Sequence, residues 1–385
     1  MNSSGNSSKH KTKIALLLTG GGARAAYQVG VLKAIAKNLP RNQVTPFAII
    51  NGTSAGAINA TALGCYASCY QLAVKKLEHV WKNFRTEQVY HTNFSSVFGH
   101  IFINMLRSFQ SDYENHPPAS LLNNQPLREL LRSVLDLKRI DNNIRNDYLE
   151  ALSITASSYS SGDSVAFFQA KHANSWRRAK RRGEKTTINI EHLMASSAIP
   201  MVFPSTKIRQ GYFGDGSVHQ HAPLSPAIHL GAEKVFVIGV EQPIDNKYFG
   251  FQPHYPGIST IAGHLLDTIF SDTLRADIER LERINRTLSL IPARDKHKEL
   301  KRIAHFVINP SQNFNAIATQ YYDTMPVPIK MLLRSIGVKK HSESSLVSYL
   351  LFEKEYTQHL IDIGYQDGLA QLDEIMAFLE FTNMQ

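Results

Sequence analysis

Ser54 is the centre of a Gly-x-Ser-x-Gly run, Gly52-Thr53-Ser54-Ala55-Gly56, between the apolar stretch FAII and the small-residue stretch AINATALG. Small residues on both sides let the backbone turn sharply from strand to helix. The hydroxyl then stands at a helix N-terminus, whose dipole favours a developing alkoxide. A serine hydroxyl is a poor nucleophile until another group takes its proton. Two arrangements supply that group. A histidine base oriented by Asp215 is compatible with the chain order, since His219, His221 and His229 follow it. Alternatively Asp215, on the glycine-flanked turn of GYFGDGS, accepts the proton directly. Against the histidine arrangement, the nucleophile of Ser-Asp-His hydrolases of the α/β kind usually follows several strands, whereas Ser54 follows the second.

A second glycine turn, IALLLTGGGARAAYQVGVL, lies upstream. Gly20, Gly22 and Ala25 satisfy the G-x-G-x-x-G/A spacing of a pyrophosphate-binding loop, and the same N–H groups suit the oxyanion of an acyl-transfer transition state. A dinucleotide loop requires an acid roughly 20 residues on for the ribose hydroxyls, and no acidic residue occurs between Gly22 and Glu78. That absence moves the weight to the oxyanion reading. Two successive strand-to-helix turns place both glycine loops at one edge of the sheet, where α/β ligand sites lie.

The elements that must hold these residues read as follows. Ile14 to Thr19 and Phe47 to Asn51 are strands, Ala25 to Asn38 is a helix, and Ala55 to about Phe84 is one long helix, a βαβα opening that predicts a parallel sheet covered by helices. Residues 85 to 125 are irregular and suit a cap or wall near the site. The stretch from Gln125 is an amphipathic helix, a hairpin turns at Ser161-Gly162-Asp163, and INIEHLMASSA is a further helix. Lys234 to Val240 is a central strand. After Pro243 the pattern becomes helical, with His264 to Leu290, Val327 to Ile336, Ser344 to Ile363 and Gln366 to Phe381 as helices and AHFVINP as a late strand.

With 385 residues, 43% hydrophobic and 19% charged, the chain has ordinary globular composition. No apolar run approaches the roughly 20 residues of a membrane span, and MNSSGNSSKHKTK has no signal-like apolar region, so the expectation is a flexible tail over 1–13 and a cytoplasmic protein, peripheral to membranes at most. Cys65 and Cys69 read as idle thiols, not as a disulfide or metal set. No metal or cofactor is expected.

Together, TGGGARAAYQVGVL, NGTSAGAINA, MASSAIPMVFP and FGDGSVHQHAPLSPAIHLGA resemble the patatin-like phospholipase family, strongly from Ile14 to Val240. The resemblance implies a three-layer α/β/α fold with a largely parallel sheet, a catalytic domain over 14–310 and a helical C-terminal region, 311–385, packing on it. It implies hydrolysis of lipid ester bonds by a dyad in which Ser54 is the nucleophile and Asp215 its base, with Gly20, Gly21 and Gly22 as the oxyanion hole and Gly52, Gly56 and Gly216 supporting the turns. Two positions depart from the family pattern, Ala25 and Ser217. Arg24 either anchors the loop or approaches a lipid phosphate, and the anchoring role is the better supported. A catalytically silent lipid-binding or interaction protein on the same fold is the competing class.

The chain carries 42 Lys and Arg against 32 Asp and Glu. The excess is concentrated in KHANSWRRAKRRGEK, Lys171 to Lys185, which suits an anionic lipid surface with the Trp176 indole at the interface. Val327 to His341 suits either the same role or a core-packed helix. No nucleic-acid-binding signature accompanies the basic run.

Overall fold

Ile14–Leu18 (β1) is apolar throughout, and its residues divide between two cores: Ile14, Leu16 and Leu18 join one, Ala15 and Leu17 the other. A strand buried on both faces needs helices above and below it. The computed structural model has that layering; it describes residues 12–93, 99, 120–243, 255, 257–292, 301–340 and 344–381. Most of the expected tail (1–11) and much of the expected cap (94–98 and 100–119) lie outside the described residues.

β1 passes through a 3-10 turn at Gly22–Ala25 into α1 (Ala26–Lys37), and β2 (Ile49–Thr53) into α2 (Ala55–Cys65), followed by α3 (Tyr70–Lys82). Next come α4 (Gln125–Val134), α5 (Lys138–Arg145), the hairpin of β3 (Ala151–Ser158) and β4 (Ser164–Ala170), and a smaller hairpin of β5 (Trp176–Arg178) and β6 (Arg181–Lys185). Then follow α6 (Ile190–Ser196), the hairpin of β7 (Thr206–Ile208) and β8 (Gly211–Asp215), α7 (Ser225–His229) and β9 (Lys234–Ile238). The rest comprises α8 (Ile258–Asp267), α9 (Thr273–Leu290), β10 (Ala304–Ile308), α10 (Phe314–Gln320), α11 (Val327–Ser335), α12 (Ser345–Leu350), α13 (Lys354–Ala370) and α14 (Leu372–Phe378).

The strands run in the order β10-β9-β1-β2-β3-β4-β6-β5, and the first five are mutually parallel. One face is covered mainly by α1, α2, α3 and the C-terminal helices, the other by α7 and α9, giving a mixed α/β fold in three layers.

Four expected boundaries are corrected. The long helix from Ala55 is two helices, broken after Cys65. The break is stabilised from outside, because the Ala67 carbonyl accepts from the Thr45 N–H (2.9 Å) and the Tyr70 N–H donates to Gln43 (2.9 Å). β2 begins and ends two residues later than the apolar pattern suggests, because its pairing with β1 and β3 carries it to Thr53. The helix expected from His264 begins at Ile258 and contains a π turn at Thr268–Asp272. The two helices expected from Ser344 to Phe381 are three, divided at 351–353 and at Gln371 and not near Ile363; at the first break Tyr90 Oη donates to the Leu350 carbonyl (3.0 Å) and Thr86 Oγ1 to Glu353 (2.7 Å), which draws the chain out of helix there.

α13 instead runs straight through Gly364, and the reason is its crossing with α1. A Cβ on Gly364 would lie 2.1 Å from the Tyr27 carbonyl, and one on Gly30 would lie 2.0 Å from the Ile361 carbonyl. Both glycines are needed for two helix backbones to touch. Gly364→Ala is therefore expected to destabilise the fold by about 3 kcal/mol, measured as a lowered denaturation midpoint; an unchanged midpoint would contradict this account of the crossing.

Candidate active site

β3 offers one long edge to two strands in turn. β2 runs parallel to it and its last pair is Thr53 with Thr155; the next residue of β3, Ala156, pairs with Asp215, the last residue of the antiparallel β8. The C-terminal ends of β2 and β8 therefore meet head-on along β3. Each chain turns away there, one at Ser54 and the other at Gly216. This junction brings together two residues far apart in sequence.

Ser54 sits in the turn with φ 55° and ψ −129°, a strained conformation for a residue with a side chain. The flanking glycines make the turn possible through closeness. A Cβ on Gly52 would be 2.4 Å from the Gly56 carbonyl oxygen, and one on Gly56 would be 2.4 Å from that of Leu18. The Ser54 N–H donates to Ser196 Oγ (2.9 Å), whose hydroxyl donates to the Thr155 carbonyl (2.6 Å). Thr53 Oγ1 donates to Gln220 (2.9 Å). Ser196 and Gln220 are not legible in the sequence, where isolated polar residues carry no sign of what they will bond. Removing the Ser196 hydroxyl orphans a buried N–H beside the strained residue, so Ser196→Ala is expected to lower stability by about 1–3 kcal/mol. It should also lower kcat more than it raises KM, with Ser196→Thr restoring part of the loss.

Asp215 is fully buried, and its N–H donates to the Ala198 carbonyl (2.9 Å). Burial pushes its carboxyl up to about 6, against the opposing influence of the Ser54 hydroxyl and of the Ser217 N–H and hydroxyl. Oδ1 accepts from the Ser217 N–H (2.9 Å), and Oδ2 makes no hydrogen bond of good geometry. Gly216 lies over β3, where a Cβ would be 2.1 Å from the Thr155 carbonyl oxygen. Among the described hydrogen bonds no histidine reaches either residue. His229 bonds to the Ser225 carbonyl and stacks on Trp176, His221 is exposed, and His219 donates its backbone N–H to Ser157 while its ring Nδ1 is buried with no hydrogen-bond partner among the described residues.

The first glycine loop lies beside the N-terminus of α2. Gln28 Nε2 holds the Thr19 carbonyl (2.8 Å), and Asn59 links Gln28 to the indole of Trp81. Among the described backbone hydrogen bonds none uses the N–H of Gly20, Gly21 or Gly22 as donor. Gly22 has φ +54°, and a Cβ there would be 2.4 Å from the Tyr349 carbonyl of α12. Phe270, on the π turn, covers Gly20.

Arg24 is 1% exposed and is occupied as an anchor: its guanidinium bonds Ser348 (2.7 and 2.9 Å), Asn315 (2.8 Å) and Asp267 (3.2 Å), and lies 3.7 Å over the Tyr349 ring. The loop is thus tied to α8, α10 and α12.

From Gly22 and Ser54 a narrow apolar tunnel, with a cavity volume of about 70 Å³, runs between α2, α3 and α4. Ser54, Ile58, Ala62 and Tyr66 line it at every fourth residue of α2, so it follows that helix for about 18 Å. Leu77, Trp81 and Phe84 form a second wall, and Leu127, Leu131 and Val134 a third.

Of the two basic segments, the first differs from expectation and the second takes the core-packed form. Trp176 is not a free interfacial anchor, because its ring stacks on His229 at 4.1 Å and packs against the second core. Lys171 pairs with Asp147, and Arg182 with Asp163 and Glu184, leaving Arg177, Arg178, Lys180 and Lys185 exposed on the β5–β6 hairpin. α11 is core-packed through Ile329, Leu332 and Leu333. No helix among the described residues is long and apolar enough to cross a membrane.

No curated protein matches the chain. Among solved structures it is similar to human GIVD cytosolic phospholipase A2 (11% identity, covering 96% of this chain and 60% of that one, TM-score 0.46). It is also similar to VipD from Legionella pneumophila (13%, 94% and 67%, 0.39) and to the type III effector ExoU from Pseudomonas aeruginosa (11%, 94% and 53%, 0.37). The chain spans about half to two thirds of the length of these proteins. Residues 16–228, more than half of the chain, match the profile described as Patatin-like phospholipase, and the chain belongs to that family.

Proposed function

We propose that the chain is a lipid acyl hydrolase of the phospholipase A or lysophospholipase type, with Ser54 as nucleophile and Asp215 as its base. The observation that carries this reading is the head-on meeting of β2 and β8 on β3, which sets Ser54 against a buried carboxylate at the start of an apolar tunnel. Ser54 attacks the ester carbonyl and its proton passes to Asp215. The uncommitted amides of Gly20, Gly21 and Gly22 hold the tetrahedral oxyanion, and as it collapses the proton is delivered to the leaving alcohol. Water then opens the acyl-enzyme by the same steps, and the acyl chain lies in the tunnel throughout. The lack of any histidine bonded to Ser54 or Asp215 among the described residues supports a dyad over a Ser-Asp-His triad.

Transient contact with an anionic lipid surface belongs to the same proposal and rests on Arg177, Arg178, Lys180 and Lys185, which have no carboxylate partner among the described residues. The deciding experiment incubates the purified chain with vesicles of mixed phospholipid and separately with triacylglycerol emulsion, and identifies released fatty acids and lysolipids by mass spectrometry. Fatty acid release that requires Ser54 is expected. Vesicle binding that persists in Ser54→Ala, with no ester of any chain length cleaved by the wild type, would favour a silent lipid-binding protein instead.

A further inference from the structure

The tunnel that starts at Ser54 has a second end of different chemistry. Tyr66, Lys76, Val80, Val134 and Leu135 line both the tunnel and an open groove, whose remaining walls are Lys75, His79, Arg132, Ser133 and Asp136. Lys75 and Lys76 are exposed and have no ion-pair partner among the described residues. Arg132 reaches Glu191 only at 3.9 Å, and that carboxylate is already held by Arg128. Lys76 and Arg139 both lie over the Tyr66 ring, at 4.8 and 4.5 Å. Three cations face one acid, Asp136, beside His79 and Ser133 at the mouth of the apolar tunnel. A solvated surface cluster needs no such neighbour, and an acyl slot needs no cations at its far end. Together they match an amphiphile with an anionic head and a long alkyl tail.

We propose that this end of the tunnel binds a free long-chain fatty carboxylate head-outward, its carboxylate on Lys75, Lys76 and Arg132 and its chain running inward toward Ser54. The inference rests on the proposed function only in taking the tunnel as the acyl site. Lying in that direction, the fatty acid fills the space a substrate acyl chain requires. The hydrolysis product is then a competitive inhibitor, held by a site separate from the dyad. The length along α2 from Ser54 to Tyr66 suits a long chain and leaves a short one unable to bridge tail pocket and cationic rim.

Trp81 lines the tunnel and is one of two tryptophans in the chain, so binding can be read without turnover. In a Ser54→Ala, Trp176→Phe protein, titration with dibrominated stearate is expected to quench the remaining indole. The acid should bind at least about tenfold more tightly than the corresponding dibrominated alcohol, with the advantage eroded by salt and lost in Lys75→Gln, Arg132→Gln. Equal affinity for acid and alcohol, or an acid preference untouched by the double variant, would overturn the proposal. In a parallel arm with otherwise wild-type protein, stearate should inhibit short-chain ester hydrolysis competitively, and the double variant should keep its hydrolysis while losing most of that inhibition. If no ester is hydrolysed at all, the proposed function fails, while the quenching arm still decides the groove.

Discussion

Ser54→Ala is expected to lower the hydrolysis of a short-chain ester by at least about 10⁴-fold, because members of a nucleophile-base unit fail together when one is removed. The residue's surroundings make the loss interpretable. Ser54 is 2% exposed and its backbone is fixed by the Ser196 bond, the paired β2 and the two close glycines, none of which involves its own hydroxyl. The alanine variant should therefore keep the thermal midpoint of the wild type within about 2 °C, since the lost hydroxyl favours only the Asp215 carboxylate and holds no backbone group. Full activity in a folded Ser54→Ala protein would remove the serine from the mechanism.

The second large effect has two opposite parts. Asp215→Asn is expected to abolish hydrolysis to a similar degree, yet to make the protein more stable at neutral pH. The folded-state carboxyl is raised from 3.8 to about 6 by burial. The protonated form is thus the one that folding favours, and its contribution is fully present below pH 4 and lost as the pH rises through 6. Above pH 6 the wild type carries a buried charge that disfavours the fold by on the order of 3 kcal/mol; the amide carries none. Chemical denaturation from pH 4 to 8 should show the variant's advantage growing up to about pH 6 and then levelling. For the wild type, kcat/KM should fall about tenfold per pH unit below 6 as the base becomes protonated. A pH-rate profile flat down to pH 4.5, or an Asn variant less stable than wild type at pH 7.5, would contradict this placement of the charge.

The same carboxylate shows why local sequence reads some parts of this site and not others. The Ser54 turn is legible because its requirements lie within five residues: an apolar strand, two glycines and a helix start. The turn at Asp215 is legible for the same reason. Their meeting is not, since it depends on β3 giving one edge to two strands, and no spacing between Thr53 and Asp215 encodes that. Arg24 is legible as a conspicuous cation beside the glycines, but its partners Asp267, Asn315 and Ser348 are supplied by three remote helices. The helix boundaries follow the same rule. Periodicity finds α1 and α11, whose cores run through them. It misses the breaks after Cys65 and at 351–353, where the deciding hydrogen bonds come from Gln43, Thr45, Thr86 and Tyr90.

The tie between the first glycine loop and the last helices has a consequence in time. A chain emerging from the ribosome completes β1, the glycine loop and the Ser54 turn early, and places Asp215 more than 100 residues before Tyr349. The loop still lacks its supports, because Gly22 rests on Tyr349 and Arg24 is held by Asn315 and Ser348. On the proposed mechanism, the nascent chain carries a nucleophile and a base with no ordered cradle for the oxyanion until the segment through Tyr349 has emerged and docked. Synthesis order then acts as a safeguard: on that mechanism Ser54 and Asp215 alone are not competent, and hydrolysis waits for the residues that hold the glycine loop.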